Sequence, residues 1–155
     1  MFPRERLTQL CQAARAQGQR VVFTNGCFDL LHVGHLHLLQ EAGRQGDVLI
    51  VGLNNDASVR KLEKGPDRPI QDEKSRALLL ASLVFVDWVC LFEESTPLGL
   101  VEAIRPDVLV KGADYQPEHI VGRAQVESWG GRLHLVPLFP NTSTSAVIER
   151  VRREE

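Results

Sequence analysis

The stretch that decides the fold is Val21-Val22-Phe23-Thr24-Asn25-Gly26-Cys27-Phe28-Asp29-Leu30-Leu31-His32-Val33-Gly34-His35. An apolar run stops, a polar turn bearing glycine intervenes, and two histidines open whatever follows. Val21, Val22 and Phe23 read as a short buried strand, while Val33, Leu36, Leu39 and Ala42 recur at helical spacing. A helix that begins directly after a buried strand presents unpaired N–H groups and the positive end of its peptide dipoles, a natural place to hold phosphate. Gly26 and Gly34 let backbone or ligand come close, and His32 and His35 supply imidazole N–H donors. Histidines at i and i+3 share a helical face, with His37 nearby, yet no cysteine or carboxylate stands at a spacing that completes a closed zinc site. No protein-bound metal is therefore expected.

Working outward, the same alternation continues to the end of the chain. Arg4 to Gln17 carries Leu7, Leu10, Cys11 and Ala14 at helical spacing and stops at Gly18. Asp47 to Leu53, Val86 to Phe92, Asp107 to Val110 and Arg132 to Val136 read as further strands, most of them continuous apolar runs of the kind buried on both faces of a parallel sheet. Between them, Asp72 caps a helix with Leu79, Leu80 and Leu83 facing inward and Arg76 in its early turns. Thr96-Pro97 opens another helix that Pro106 ends, Pro117 to Trp129 forms one more, and Asn141-Thr142-Ser143-Thr144-Ser145 precedes a closing helix through Val147, Ile148 and Val151. The expected fold is α/β: a Rossmann-like, doubly wound sheet of five parallel strands with helices on both faces. Polar turns after the first, second, fourth and fifth strands would then gather on one sheet edge.

Ala57 to Gln71 is too polar and broken for a core element and reads as a basic, partly mobile loop, with Arg60, Lys61, Lys64 and Arg68 as its cations. Because it follows a strand end, a lid closing on triphosphate is the functional reading. Arg76 is either a further phosphate donor or a surface charge.

With 155 residues, 43% hydrophobic content and 25% charged, the chain suits one domain spanning residues 1–155 with a substantial core. A net charge of −2 without a basic run argues against duplex nucleic acid as a partner. Neither a signal peptide nor a membrane span is legible, and Cys11, Cys27 and Cys90 look like reduced buried thiols, so a cytoplasmic location without membrane association is expected. GxGxxG is missing after the first strand and GxxxxGK[ST] is missing altogether, which disfavours a dinucleotide dehydrogenase and a P-loop kinase.

His32-Val33-Gly34-His35 resembles the HxGH signature of the nucleotidyltransferase superfamily, and Asn25-Gly26-Cys27-Phe28-Asp29 is similar to its cytidylyltransferase-like branch. Asn55-Asp56, the Lys61/Lys64 loop, Gly65 to Pro69, Arg76, Val86 to Val89, Lys111-Gly112-Ala113-Asp114-Tyr115 and Ser143-Thr144-Ser145 extend the likeness to the adenylyltransferase domain of bacterial ADP-heptose synthases. The stand-alone form of that domain, with the sugar kinase on a separate chain, is the version it is most similar to. The resemblance implies transfer of AMP from ATP to D-glycero-β-D-manno-heptose 1-phosphate, releasing pyrophosphate, with Mg²⁺ on the triphosphate. It implies catalytic roles for His32, His35, Lys64 and Arg76. Thr24 to Phe28, Gly34, His35, Lys111, Gly112, Asp114, Tyr115 and Thr142 to Ser145 would hold the nucleotide. Asp29, Asn55, Asp56, Lys61 and Lys64 would serve the sugar phosphate, Asp29 and Asp56 either binding its hydroxyls or ordering loops. Cys27 reads as packing, since a phosphate monoester is already nucleophilic. A cytidylyltransferase for glycerol 3-phosphate or a related alcohol phosphate, a flavin mononucleotide adenylyltransferase and a non-enzymatic nucleotide sensor share the machinery as alternatives. Related enzymes are commonly dimers, so a homodimer is compatible.

Overall fold

A computed structural model describes residues 2–62, 65, 67–140 and 142–153. Five strands, β1 (Val21–Gly26), β2 (Val48–Asn54), β3 (Trp88–Phe92), β4 (Val108–Gly112) and β5 (Arg132–Val136), form one sheet in the order β3-β2-β1-β4-β5, every neighbouring pair parallel. The described helices are α1 (Arg4–Ala16), α2 (Val33–Gly43), α3 (Asp56–Lys61), α4 (Glu73–Ala81), α5 (Leu98–Ile104), α6 (Arg123–Ser128) and α7 (Thr144–Arg152). Among the described residues no helix is long and apolar enough to cross a membrane.

The period of two along each strand divides the core. Val21, Phe23, Val48, Ile50 and Leu109 point to the layer that holds Leu7, Cys11 and Ala14 of α1, Leu100 and Ile104 of α5, and Val126 of α6. Val22, Leu49, Val51, Val108 and Val110 point the other way, to Leu39 and Ala42 of α2 and to Ala77 and Leu80 of α4. Both faces being covered, each central strand must be apolar throughout, as the runs in the sequence had suggested. Asp107 and Asp87, each just ahead of a strand, accept from the N–H groups of Val21 and Leu49 at 2.7 Å and satisfy donors at the start of the neighbouring strands.

The pairing of β1 is asymmetric, and this makes the cleft. With β2 it runs in register from Val21↔Val48 to Gly26↔Leu53, whereas with β4 only Val22↔Val108 and Phe23↔Leu109 are matched. Beyond Phe23 the two strands part, at the point where the winding reverses. Lys111 Nζ reaches across the gap to Asn25, at 2.6 Å to Oδ1 and 3.2 Å to the backbone carbonyl.

Several boundaries differ from the sequence reading. β1 and β4 extend to Gly26 and Gly112, so Thr24, Asn25, Lys111 and Gly112 are strand ends rather than turn residues. Within the expected loop, Asp56–Lys61 is helical because the Asn55 side chain accepts from Ser58 N at 2.8 Å and Val59 is buried as an anchor. So short a helix shows no periodicity. The stretch from Pro117 to Trp129 is a single 3₁₀ turn, Pro117–His119, then α6, separated at Gly122 with φ of +91°. In α4 the inward positions are Arg76, Ala77 and Leu80, while Leu79 is exposed.

Candidate active site

A cleft of about 530 Å³ lies at the parted ends of β1 and β4. It gathers Asn25, Gly26, Cys27, Phe28, Asp29, His32, Gly34 and His35 from the β1–α2 connection, Lys111, Gly112, Asp114 and Tyr115 after β4, and Thr142 to Ser145 at the start of α7. Those are the residues the sequence had singled out at three separate places. The cleft also takes in His37, Arg68, Leu38 and Val136 to Phe139, which sequence reasoning did not assign. The apolar Pro137, Leu138 and Phe139 had no periodic signal, and Arg68 was one cation in a basic run.

Two helix N-termini open into this space. His32 is the N-cap residue of α2 and makes no side-chain cap, so its imidazole is free for other work; Ser143 caps α7, accepting from Ala146 N at 3.0 Å. The rings of His32 and His35 stack with centroids 3.8 Å apart, and Phe28 packs on His35 at 5.1 Å. Phe28 reaches that position through a left-handed backbone, φ of +44°, which a bulky residue adopts only where the surroundings enforce it. Gly34 is required by contact: a Cβ there would lie 2.6 Å from Thr142 Oγ1 and 3.1 Å from the His32 ring. Burial lowers the pKa of His32 below its ordinary 6.5, so near neutrality it is an uncharged imidazole that still donates one N–H. His32 Nδ1 is buried and finds no hydrogen-bond partner among the described residues.

Asp29 is fully buried and already engaged. Its Oδ1 accepts from Ile70 N at 2.8 Å and Gln71 N at 3.0 Å, and its Oδ2 accepts from the Arg68 guanidinium and from Ile70 N at 3.0 Å. Burial alone would raise its pKa, but the donors from Gln71, Ile70 and Arg68 outweigh that and hold the carboxyl below its ordinary value. The geometry therefore has Asp29 ordering the 68–71 segment.

Five expected site residues, Thr24, Asn55, Asp56, Lys61 and Arg76, do not line the cleft. Arg76 is fully buried beneath the cleft, where it donates to the carbonyls of Cys27 (2.6 Å), Asn54 (2.8 Å) and Gln71 (3.0 Å) and pairs with Asp56 at 2.6 Å. It is neither a surface charge nor a group lining the cleft. Asp56 is committed to Arg76 and Asn55 to capping α3, and both line a shallower depression with Arg60, Asp72 and Lys74. Lys61 is exposed and does not line the cleft; Lys64 lies outside the described residues. Thr24 is buried just under the cleft floor, and the Cys27 thiol is turned to Asn54 Oδ1 at 3.9 Å.

Residues 23–150 match a family model described as cytidylyltransferase-like. Among curated relatives, the bifunctional protein HldE of Trichlorobacter lovleyi is 57% identical over 148 residues, covering 96% of this chain and 30% of that protein. The bifunctional protein HldE of Acidiphilium cryptum is 56% identical over 149 residues, covering 96% of this chain and again 30% of the relative. The chain thus spans about 30% of the length of the curated relatives it matches. Among solved structures, a lipopolysaccharide core biosynthesis protein from Thermoplasma volcanium superimposes with a TM-score of 0.65 at 31% identity, covering 79% of this chain and 98% of that one. Pantoate-β-alanine ligase from Francisella tularensis, at 15% identity and a TM-score of 0.58 over 100% of this chain and 79% of that one, shares the fold alone.

Proposed function

The chain belongs to the cytidylyltransferase-like family and is a nucleotidyltransferase, and from that premise we propose that it transfers AMP from ATP to D-glycero-β-D-manno-heptose 1-phosphate, giving ADP-heptose and pyrophosphate. The observation that carries this reading is one cleft joining the stacked His32/His35 pair at the start of α2 with the Lys111–Tyr115 turn and the hydroxyl-rich start of α7. The heptose draws support from the bifunctional HldE relatives and from the Thermoplasma neighbour, whose name places that protein in lipopolysaccharide core biosynthesis.

In the proposed step a phosphate oxygen of the sugar phosphate attacks the α-phosphorus of ATP. One P–O bond forms, the bond from α-phosphorus to the bridging oxygen breaks, and pyrophosphate leaves in line. The monoester dianion is the nucleophile, so neither Cys27 nor any other protein nucleophile takes part. Charge builds on the oxygens around phosphorus, and the N–H groups of His32 and His35 and of the α2 start are aimed at that region. Each well-placed donor of this kind typically contributes about 10²- to 10³-fold in rate. The adenine is assigned to the turn from Lys111 to Tyr115 and to Thr142 to Ser145, flanked by Leu138 and Phe139.

Mg²⁺ is proposed to come with the triphosphate. The carboxylates lining the cleft are Asp29, whose oxygens are taken up by Arg68, Ile70 and Gln71, and Asp114. That donor set fits a cation held by phosphate oxygens and water better than one caged by protein. Bound there, the ion would neutralise the leaving pyrophosphate.

The test is pyrophosphate release across a panel of ATP, CTP and other nucleotides against heptose 1-phosphate, glycerol 3-phosphate and flavin mononucleotide. The expected result is the highest kcat/KM for ATP with heptose 1-phosphate. Preference for CTP with glycerol 3-phosphate would overturn the named substrates, and nucleotide binding without turnover would overturn the reaction.

A further inference from the structure

We propose that Arg68 receives the phosphate of the acceptor and that Asp29 is the positioning residue that aims it, an inference that rests on the nucleotidyl-transfer reading above. Arg68 lines the cleft, yet its side chain is only 9% exposed. It spends one donor, Nε, on the fully buried Asp29. Among the described residues neither Nη1 nor Nη2 of Arg68 makes a hydrogen bond, so a planar fork of N–H groups faces the cleft. A guanidinium so largely buried is normally satisfied by carboxylate or carbonyl partners, as Arg76 is in the same molecule with four. A planar fork with a fixed back is the geometry that takes a phosphate through two parallel hydrogen bonds.

The other cations of the cleft are less suited to that task. Burial keeps His32 toward its neutral form, and Lys111 is bound to Asn25 across the gap between β1 and β4. Arg68 is thus the permanent charge available to a dianion. Asp29 cannot serve the sugar directly, because its two oxygens already accept four hydrogen bonds, from Arg68, Gln71 and twice from Ile70. Its work is to fix the 68–71 segment and hold Arg68 by the back of the guanidinium.

Topology assigns the anion. In the order β3-β2-β1-β4-β5, the turns assigned to the nucleotide follow β4 and β5, on one side of β1. Arg68 lies in the connection from β2 to β3, on the other side. In-line displacement needs the entering oxygen to approach from across the phosphorus, and the β2 side is the one the nucleoside leaves open.

The experiment measures steady-state KM for both substrates, and titrates heptose 1-phosphate by calorimetry with and without a non-hydrolysable ATP analogue. Arg68→Ala should raise the KM and Kd of the sugar phosphate roughly 10- to 100-fold while leaving the KM of ATP within about twofold. Arg68→Lys, which keeps charge but not the fork, should fall between. Asp29→Asn should move the acceptor KM in the same direction, and the double variant should be little worse than Arg68→Ala, since both act on one contact. A rise confined to the KM of ATP would place Arg68 on the triphosphate and overturn the proposal, as would unchanged constants for both substrates. If wild type shows no turnover with any nucleotide but binds the sugar phosphate in an Arg68-dependent way, the anion site stands and the reaction assignment falls.

Discussion

Replacing Arg76 tests how the floor of the cleft is built. Arg76→Leu removes a fully buried guanidinium that holds the carbonyls of Cys27, at the end of β1, and Asn54, at the end of β2, as well as Gln71 and Asp56. Breaking a buried ion pair by deleting one partner typically costs about 3–5 kcal/mol, and each buried carbonyl left unpaired adds to it. Asp56 keeps 22% of its side-chain exposure and regains water, so about 3–4 kcal/mol is the reasoned figure. For a chain of this length, where about 1 kcal/mol shifts the midpoint by about 2–4 °C, the melting temperature should drop by roughly 6–16 °C. Arg76→Lys restores a charge, but one ammonium cannot span both strand-end carbonyls and Asp56, so it should recover only part of the loss. Differential scanning calorimetry of the three proteins gives the midpoints, and pyrophosphate release at a temperature where all are folded gives kcat and both KM values. A leucine variant melting within about 2 °C of wild type while losing kcat would refute this reasoning. Arg76 would then act on phosphate in the cleft, as the sequence alone had suggested.

His35→Ala should lower kcat by about 10²- to 10³-fold with little change in ATP affinity by titration, because a donor aimed at the reacting phosphorus acts on the barrier; near-normal turnover would remove His35 from the catalytic set. Gly34→Ala should cut kcat more than tenfold with an unchanged circular dichroism spectrum, since the new Cβ would meet Thr142 Oγ1 at 2.6 Å and the His32 ring at 3.1 Å, and full activity would show that both relax without consequence. Acid should weaken the fold in two windows. The folded pKa of His32 lies below 6.5, so the unfolded chain takes up protons first and stability is lost as pH falls through that range. For Asp29 the same sign applies below its ordinary 3.8. Melting curves against pH should therefore slope less below about pH 6.5 in His32→Asn than in wild type, and parallel curves would contradict it.

The sheet was legible because parallel strands covered on both faces must be apolar at every position, and Val21–Phe23, Val48–Val51 and Val108–Val110 are. The cleft residues were legible where residue type and place coincide, as with two imidazoles at a helix start or hydroxyls at another. Arg76, Asp29 and Asn55 were harder for a common reason. Their partners are mainly backbone carbonyls and N–H groups, which every residue carries and no sequence marks. Leu79 was read as inward and Arg76 as a phosphate donor or a surface charge because hydropathy weighs the side chain alone. The carbonyls of Cys27 and Asn54, where the chain leaves β1 and β2, and of Gln71 need donors beneath the cleft, and one guanidinium on α4 supplies all three. The same need accounts for Asp29. The N–H groups of Ile70 and Gln71 have no strand or helix partner, and a buried carboxylate answers them while orienting Arg68. Charge at such positions is thus spent on the backbone, which leaves the His32 imidazole and the outer nitrogens of Arg68 to the cleft.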